Sequence, residues 1–260
     1  MKKISEFQKP IQFLFTDIDD TLTNEGQLGP QAYQALWSLN DAGIHVIPVT
    51  GRPAGWCEMM ARQWPVQGVI GENGGFYFRY HQKVMKRDFF FDASTQAENR
   101  KKLDLLQKKI LKEVPGCALA SDQFCRLMDL AIDFCEDVPA LPESSIQKIV
   151  DLFHHEGAIA KVSSIHVNGW FGKYDKLSMA LRFLKQEFSV DEKQAVKVSA
   201  FVGDSPNDEP MFQFFSNSFA VANFRKYADQ VKYPPTYIAE LDGGLGFAEI
   251  AHQILHYAEA

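Results

Sequence analysis

The sequence predicts an α/β fold: a doubly wound parallel sheet covered by helices on both faces, interrupted by an inserted α+β unit. Short apolar runs alternate with helical patterns between residues 11 and 70. The same rhythm returns from residue 174, while the segment between changes character. These observations divide the chain into a core of 1–82 and 171–260 and an insertion of 83–170.

Element by element, IQFLF (11–15) is short, apolar and aromatic, as a buried strand requires. Residues 30–41 carry Ala32, Tyr33, Leu36 and Leu39 at helical spacing, with Pro30 suited to the first turn and Gly43 to the stop. IHVIPV (44–49) is a second strand, 53–63 a second helix, and GVI (68–70) a third strand running into the turn-forming GENGG. FYFRY (76–80) and VMKRDFFFD (84–92) read as a hairpin or as neighbouring strands. An amphipathic helix over 95–113 follows, with Leu103, Leu106, Ile110 and Leu111 on one side. Its lysines, Lys101, Lys102, Lys108, Lys109 and Lys112, are interleaved with Asp104 and Glu113 and read as a solvated face. The insertion continues with a strand over 125–134, a helix over 143–156 and a long strand over 158–167. Then come helix 174–188, strand 198–202, helix 207–215, strand 218–222, a closing strand at 237–239 and helix 244–259.

Composition narrows the function. A formal charge of −6 argues against a nucleic-acid footprint, which normally shows as a basic excess. No apolar run reaches the roughly 18 residues that a membrane span needs, and the N-terminus has no apolar stretch to make a signal peptide. A cytoplasmic protein without membrane or nucleic-acid partners is expected. Cys57, Cys117, Cys125 and Cys135 form no C-x-x-C pair and the histidines are scattered, so inert thiols are expected and zinc is not. Oligomeric state is not legible in the sequence.

The richest local signal is Asp17-Ile18-Asp19-Asp20-Thr21, directly after the first strand. In an open parallel sheet, ligands bind outside the carboxyl ends of the strands. Acids this close repel when ionised, and a divalent cation with a preference for hard oxygen ligands, Mg²⁺, relieves that repulsion. A carboxylate beside a phosphoryl group can attack it, and a second two residues on can protonate the leaving alcohol. Asp17 is the expected nucleophile and Asp19 the expected acid/base. A calcium loop does not fit, since no glutamate stands at the twelfth position and a strand precedes the run.

Three further motifs fall at strand ends or helix starts. Val49-Thr50-Gly51-Arg52-Pro53 can present a hydroxyl and backbone N–H groups to a phosphate oxygen. Phe201-Val202-Gly203-Asp204-Ser205-Pro206-Asn207-Asp208 brings two more carboxylates to the same sheet edge, and Gly203 allows close backbone approach. Lys176, near the start of a helix, opposes the helix dipole unless it has an anionic partner; Lys173 is its rival.

In this order the four motifs resemble the haloacid dehalogenase superfamily of phosphohydrolases, whose pattern is D-x-D-x-T, then Ser/Thr, then Lys, then G-D-x-x-N-D. Asp17/Asp19/Thr21, Thr50, Lys176 and Gly203–Asp208 supply every element. The large insertion and Asn73-Gly74-Gly75 resemble the Cof-like and sucrose-phosphate-phosphatase-like branch, although Lys176-Leu177 stands where that branch often has Lys-Gly. The resemblance implies a Rossmann-like core with a mobile α/β cap. It implies Mg²⁺ held by Asp17, the backbone carbonyl of Asp19, and Asp204, with Asp208 near or among the ligands. Thr50, Gly51, Lys176 and Asn207 are then expected at the phosphate, with Thr21, Arg52 and Asn73 in support. The implied activity is Mg²⁺-dependent hydrolysis of a small phosphorylated metabolite, a sugar or polyol phosphate, through a phospho-aspartate. A phosphohexomutase and a non-catalytic phospholigand-binding protein are the competing readings. In the cap, Arg87, Arg126, His166 and Asn168 are polar residues able to meet a substrate.

Overall fold

The computed structural model describes residues 1–163 and 165–258. The chain begins with β1 (Lys2–Lys3), β2 (Phe13–Thr16) and a small hairpin, β3 (Thr23–Asn24) and β4 (Gln27–Leu28). Next come α1 (Pro30–Asp41), β5 (His45–Pro48), α2 (Ala54–Gln63), β6 (Val69–Gly71), β7 (Phe76–His81) and β8 (Val84–Phe89). The middle holds α3 (Ala93–Glu113), β9 (Ala118–Leu119), β10 (Leu130–Asp133), α4 (Glu143–His155), β11 (Ile159–Val162) and β12 (His166–Trp170). The last part holds α5 (Lys176–Phe188), α6 (Glu192–Val198), β13 (Ser199–Gly203), α7 (Glu209–Phe214), β14 (Ser218–Ala220), β15 (Tyr237–Ile238) and α8 (Gly243–Ala258).

Six strands form a parallel sheet in the order β1-β15-β14-β13-β2-β5. Because strand side chains alternate, Leu14 faces one layer while Phe13 and Phe15 face the other. The first layer is built on α1, α2 and α8 through Leu36, Met60 and Ile250, and the second on α5, α6 and α7 through Phe183, Ala195 and Phe212. The chain winds outward from β2 to β5 on one side and from β13 to β15 on the other. The crevice at this switch point is where an open α/β sheet binds ligands. Thr16 pairs with Val202, so the residues that follow both strands emerge side by side.

β6, β7 and β8 form a separate antiparallel sheet, tied to the main one by a parallel bridge between Val49 and Ile70. The 82/83 division expected from the sequence falls in the turn of its outer hairpin. The middle of the chain forms an antiparallel sheet, β11-β12-β10-β9, with α3 and α4 packed on one face through Leu103, Leu106, Ile149 and Phe153. The opposite face carries Ile159, Lys161, Asn168 and Trp170, paired across β11 and β12 as Ile159↔Trp170 and Lys161↔Asn168.

Two expected strands are corrected. Of 125–134, only Leu130–Asp133 is strand, because the N–H groups of Leu127, Met128 and Asp129 all bind the Glu72 carboxylate and are not free for a ladder. The strand expected over 158–167 is two strands of a hairpin; Ser163 N–H donates to His166 O and the Ser163 hydroxyl accepts from His166 N. Ser164 in that span and Glu259 at the end of the expected last helix lie outside the described residues. Among the described residues no helix is long and apolar enough to cross a membrane.

Candidate active site

Asp17 leaves the end of β2 with its N–H donating to Val202 O, which locks it beside β13. Its Oδ1 accepts from Ile18 N at 2.9 Å, leaving Oδ2 for Lys176, whose Nζ lies 3.0 Å away. Lys176 is the first residue of α5, after Asp175, whose side chain accepts from Ser178 N in a capping box. The anionic partners this position demands are Asp17 and Asp208, the latter at 2.9 Å. Its rival Lys173 makes no ion pair among the described residues. The Asn73-Gly74 turn packs on the same helix start. Asn73 is left-handed at φ 57°, and a Cβ on Gly74 would stand 2.1 Å from Asp175 O.

Asp208 is fully buried and joins two motifs: Oδ1 takes Lys176, and Oδ2 accepts from Asp204 N at 3.1 Å. Gly203 makes room for it, since a Cβ there would lie 2.4 Å from Asp208 Oδ2. Gly203→Ala is therefore expected to displace Asp208, lower stability by about 1–3 kcal/mol as overpacking does, and reduce turnover. Thermal melting and steady-state kinetics check it.

Carboxylate oxygens of Asp17, Asp204 and Asp208 lie within 4.8 Å of one another. Burial pushes Asp17 up to about 7 against the pull of Lys176, with Asp208 and Asp19 adding to the rise. Burial, then the like charges of Asp208 and Asp17, push Asp204 up to about 9. Burial alone would lower Lys176, but Asp17 and Asp208 hold it above its ordinary range and protonated. One ammonium thus faces three buried carboxylates. This hard, oxygen-only donor set with excess negative charge fits a divalent cation such as Mg²⁺.

The other expected residues divide by place. Asp19 lies at the cavity rim, held by Arg52 through Nε at 3.0 Å and Nη2 at 2.7 Å, and outside the three-carboxylate cluster. Arg52 in turn lies over the Trp56 ring, 4.5 Å from its centroid. Thr21 donates to Asp204 Oδ1, orienting it from below. Thr50 is fully buried and its hydroxyl accepts from Arg52 N, while Gly51, Arg52 and Asn73 line the cavity. Asn207, expected at the phosphate, also lines it, but its Nδ2 donates to Val162 O on the inserted unit. Arg126, His166 and Asn168 line the cavity from that unit; Arg87 instead pairs with Glu58 at 2.8 Å. The whole cavity measures about 370 Å³.

Glu72 is the residue that motif reading missed. It is fully buried, and it accepts from Ala54 N at the start of α2 and from Leu127, Met128 and Asp129 on the inserted unit. Burial and then Asp129 push it up to about 7, opposed by the N–H donors and by Arg126. Arg126, nearly buried, bonds Asp122, Asp129 and the Gly51 carbonyl. The two residues fasten the inserted unit to the loop that carries the second motif. In sequence, Glu72 stands in a glycine-rich turn, where an exposed acid is the ordinary expectation.

A glucosyl-3-phosphoglycerate/mannosyl-3-phosphoglycerate phosphatase from Persephonella marina is 23% identical over 266 residues, spanning 95% of this chain and 98% of that protein. A phosphoglycolate phosphatase from Methanothrix thermoacetophila is 28% identical over 243 residues, 92% of this chain and 95% of that one. A solved structure from Thermoplasma acidophilum shares the fold, with a TM-score of 0.76 at 19% identity over 95% of this chain and 99% of that chain. The family model described as haloacid dehalogenase-like hydrolase matches residues 14–110. That segment begins inside the strand that delivers Asp17, and over it the chain is similar to the haloacid dehalogenase-like hydrolases.

Proposed function

We propose that this hydrolase is a Mg²⁺-dependent phosphatase that transfers the phosphoryl group of a small metabolite, a sugar or polyol phosphate, first to Asp17 and then to water. The observation that carries this reading is Asp17 itself. Its carboxylate lines a cavity at the sheet's switch point, beside an ammonium at 3.0 Å and two further buried carboxylates. The two phosphatases similar in sequence are named for phosphate esters of small molecules, which agrees with a cavity of this size.

Asp17, Asp204 and Asp208 would hold the cation, which when bound neutralises charge on the phosphoryl oxygens. Lys176 offsets the repulsion between the Asp17 carboxylate and the incoming phosphate. Asp17 attacks phosphorus, the phosphorus–oxygen bond to the alcohol breaks, and Asp19 protonates the departing oxygen. Asp19 then takes a proton from the water that cleaves the acyl phosphate. Asp19 is free to do so only once Arg52 releases it, so its activation is coupled to substrate entry. The segment 83–170 acts as the cap, and its Val162–Asn207 bond closes the mouth over the bound ester.

Saturating Mg²⁺ is expected to raise the melting temperature by several degrees, since a ligand at 100 times its dissociation constant adds about 2.7 kcal/mol. Chelator reverses the shift, and Asp204→Asn shrinks it. The paired assay is phosphate release from p-nitrophenyl phosphate with and without Mg²⁺; release independent of divalent cations, or no melting shift, counts against the proposal.

A further inference from the structure

A second chamber of about 280 Å³ adjoins the catalytic cavity and shares Asn73, Lys161, Lys176 and Asn207 with it. Trp170 and Tyr174 line it, stacked with centroids 5.4 Å apart and planes at 18°. Each is about 2% exposed, and neither Trp170 Nε1 nor Tyr174 Oη has a hydrogen-bond partner among the described residues. Buried polar groups are normally partnered, so two orphans beside a cavity point to a polar occupant.

The charges say which kind. The other cations of the catalytic cavity are matched: Arg52 to Asp19, Arg126 to Asp122 and Asp129, Lys176 to Asp17 and Asp208. Lys161 and Lys173, which line the second chamber, have no ion pair among the described residues. The chamber's acid, Asp175, is engaged in capping α5. Lys161 stands on the face of β11 turned toward the crevice, opposite Asn168 and two pairs along the ladder from Trp170. A neutral polyol needs acceptors as well as donors. This chamber offers two ammonium groups without an ion pair and an indole N–H against the single carboxylate of Asp175, a balance that favours an anion.

We propose that the chamber binds a carboxylate on the substrate, making the substrate a phosphate monoester of a hydroxy acid, with Lys161 as the residue that selects it. The proposal rests on the phosphatase reading and narrows it. The phosphate lies against Lys176 and the acid function reaches past Asn207 to Lys161, so one molecule fills both spaces.

The test compares glycerate 3-phosphate with glycerol 3-phosphate, which differ by a carboxylate in place of a hydroxymethyl group. Calorimetric titration into Asp17→Asn protein, which cannot turn them over, gives the ratio of dissociation constants. The expected preference for the acid is about tenfold or more, the scale of one added ionic contact. It falls below about threefold with Lys161→Ala added and returns with Lys161→Arg. Equal affinities, no binding of either ester, or a preference untouched by Lys161→Ala overturns the proposal. Phosphate release by the wild-type protein is measured separately on both esters and on p-nitrophenyl phosphate. If none is hydrolysed while the binding preference holds, the phosphatase reading falls and the carboxylate site stands.

Discussion

Asp17→Asn is expected to lower turnover by about 10⁴-fold or more, equivalent to about 5.5 kcal/mol of lost transition-state stabilisation, while the protein stays folded. The amide keeps the shape of the carboxylate but cannot attack phosphorus. Lys176 keeps an anionic partner in Asp208, so no buried ammonium is stranded. The substitution also removes one of three crowded carboxylates, so the melting temperature without metal should hold or rise. A purely structural role for Asp17 gives the opposite signature, a large melting decrease with activity falling in proportion. Single-turnover kinetics and thermal melting on the same preparation separate the two.

Glu72→Ala carries the largest expected effect on stability, a loss of about 3–5 kcal/mol, from stranding several buried N–H donors at about 1–3 kcal/mol each with partial rescue by water. The N–H groups of Ala54, Leu127, Met128 and Asp129 lose their acceptor together, so the inserted unit loosens from the second-motif loop. Glu72→Gln keeps one acceptor oxygen and should lose roughly half as much. The pH dependence gives an independent check. Glu72 is raised from 4.5 in the unfolded chain to about 7 in the fold, so between these values the folded state binds more protons than the unfolded. Stability therefore falls as pH rises through this window, and Glu72→Gln removes Glu72's share of the slope. Asp17 and Asp204 slope the same way in both proteins, so the difference between the two denaturation series isolates Glu72. Parallel curves for the two proteins would contradict this account.

The clustering of the candidate site was legible because its residues sit in short motifs at strand ends, where local pattern and topology agree. Asp17 and Asp204 follow strands that the sequence marks by apolar runs, and parallel pairing then places them side by side. Lys176 was legible by its misfit, a cation at a helix start that needs an anion. Glu72 was not, because its partners lie 55 to 57 residues away on the inserted unit. The same long-range contact explains the false strand at 125–129, where apolar residues signal a ladder that Glu72 pre-empts. The β3–β4 hairpin, α6 and the tight helical stretch Ala222–Gln230 escaped because each is too short or too polar to show a period. The inward face of the inserted sheet was half legible: His166 and Asn168 stood out as polar residues, but Lys161 gained its meaning only once pairing set it across from Asn168.

In the proposed mechanism Asp17 becomes phosphorylated during each turnover. Protein turning over a phosphate ester with Mg²⁺ can be quenched and treated with borohydride, which reduces an acyl phosphate to the alcohol, and the peptide containing residue 17 examined by mass spectrometry. The account predicts homoserine at position 17, dependent on substrate. An unmodified aspartate there while phosphate is being released, or reduction at another carboxylate, would contradict it.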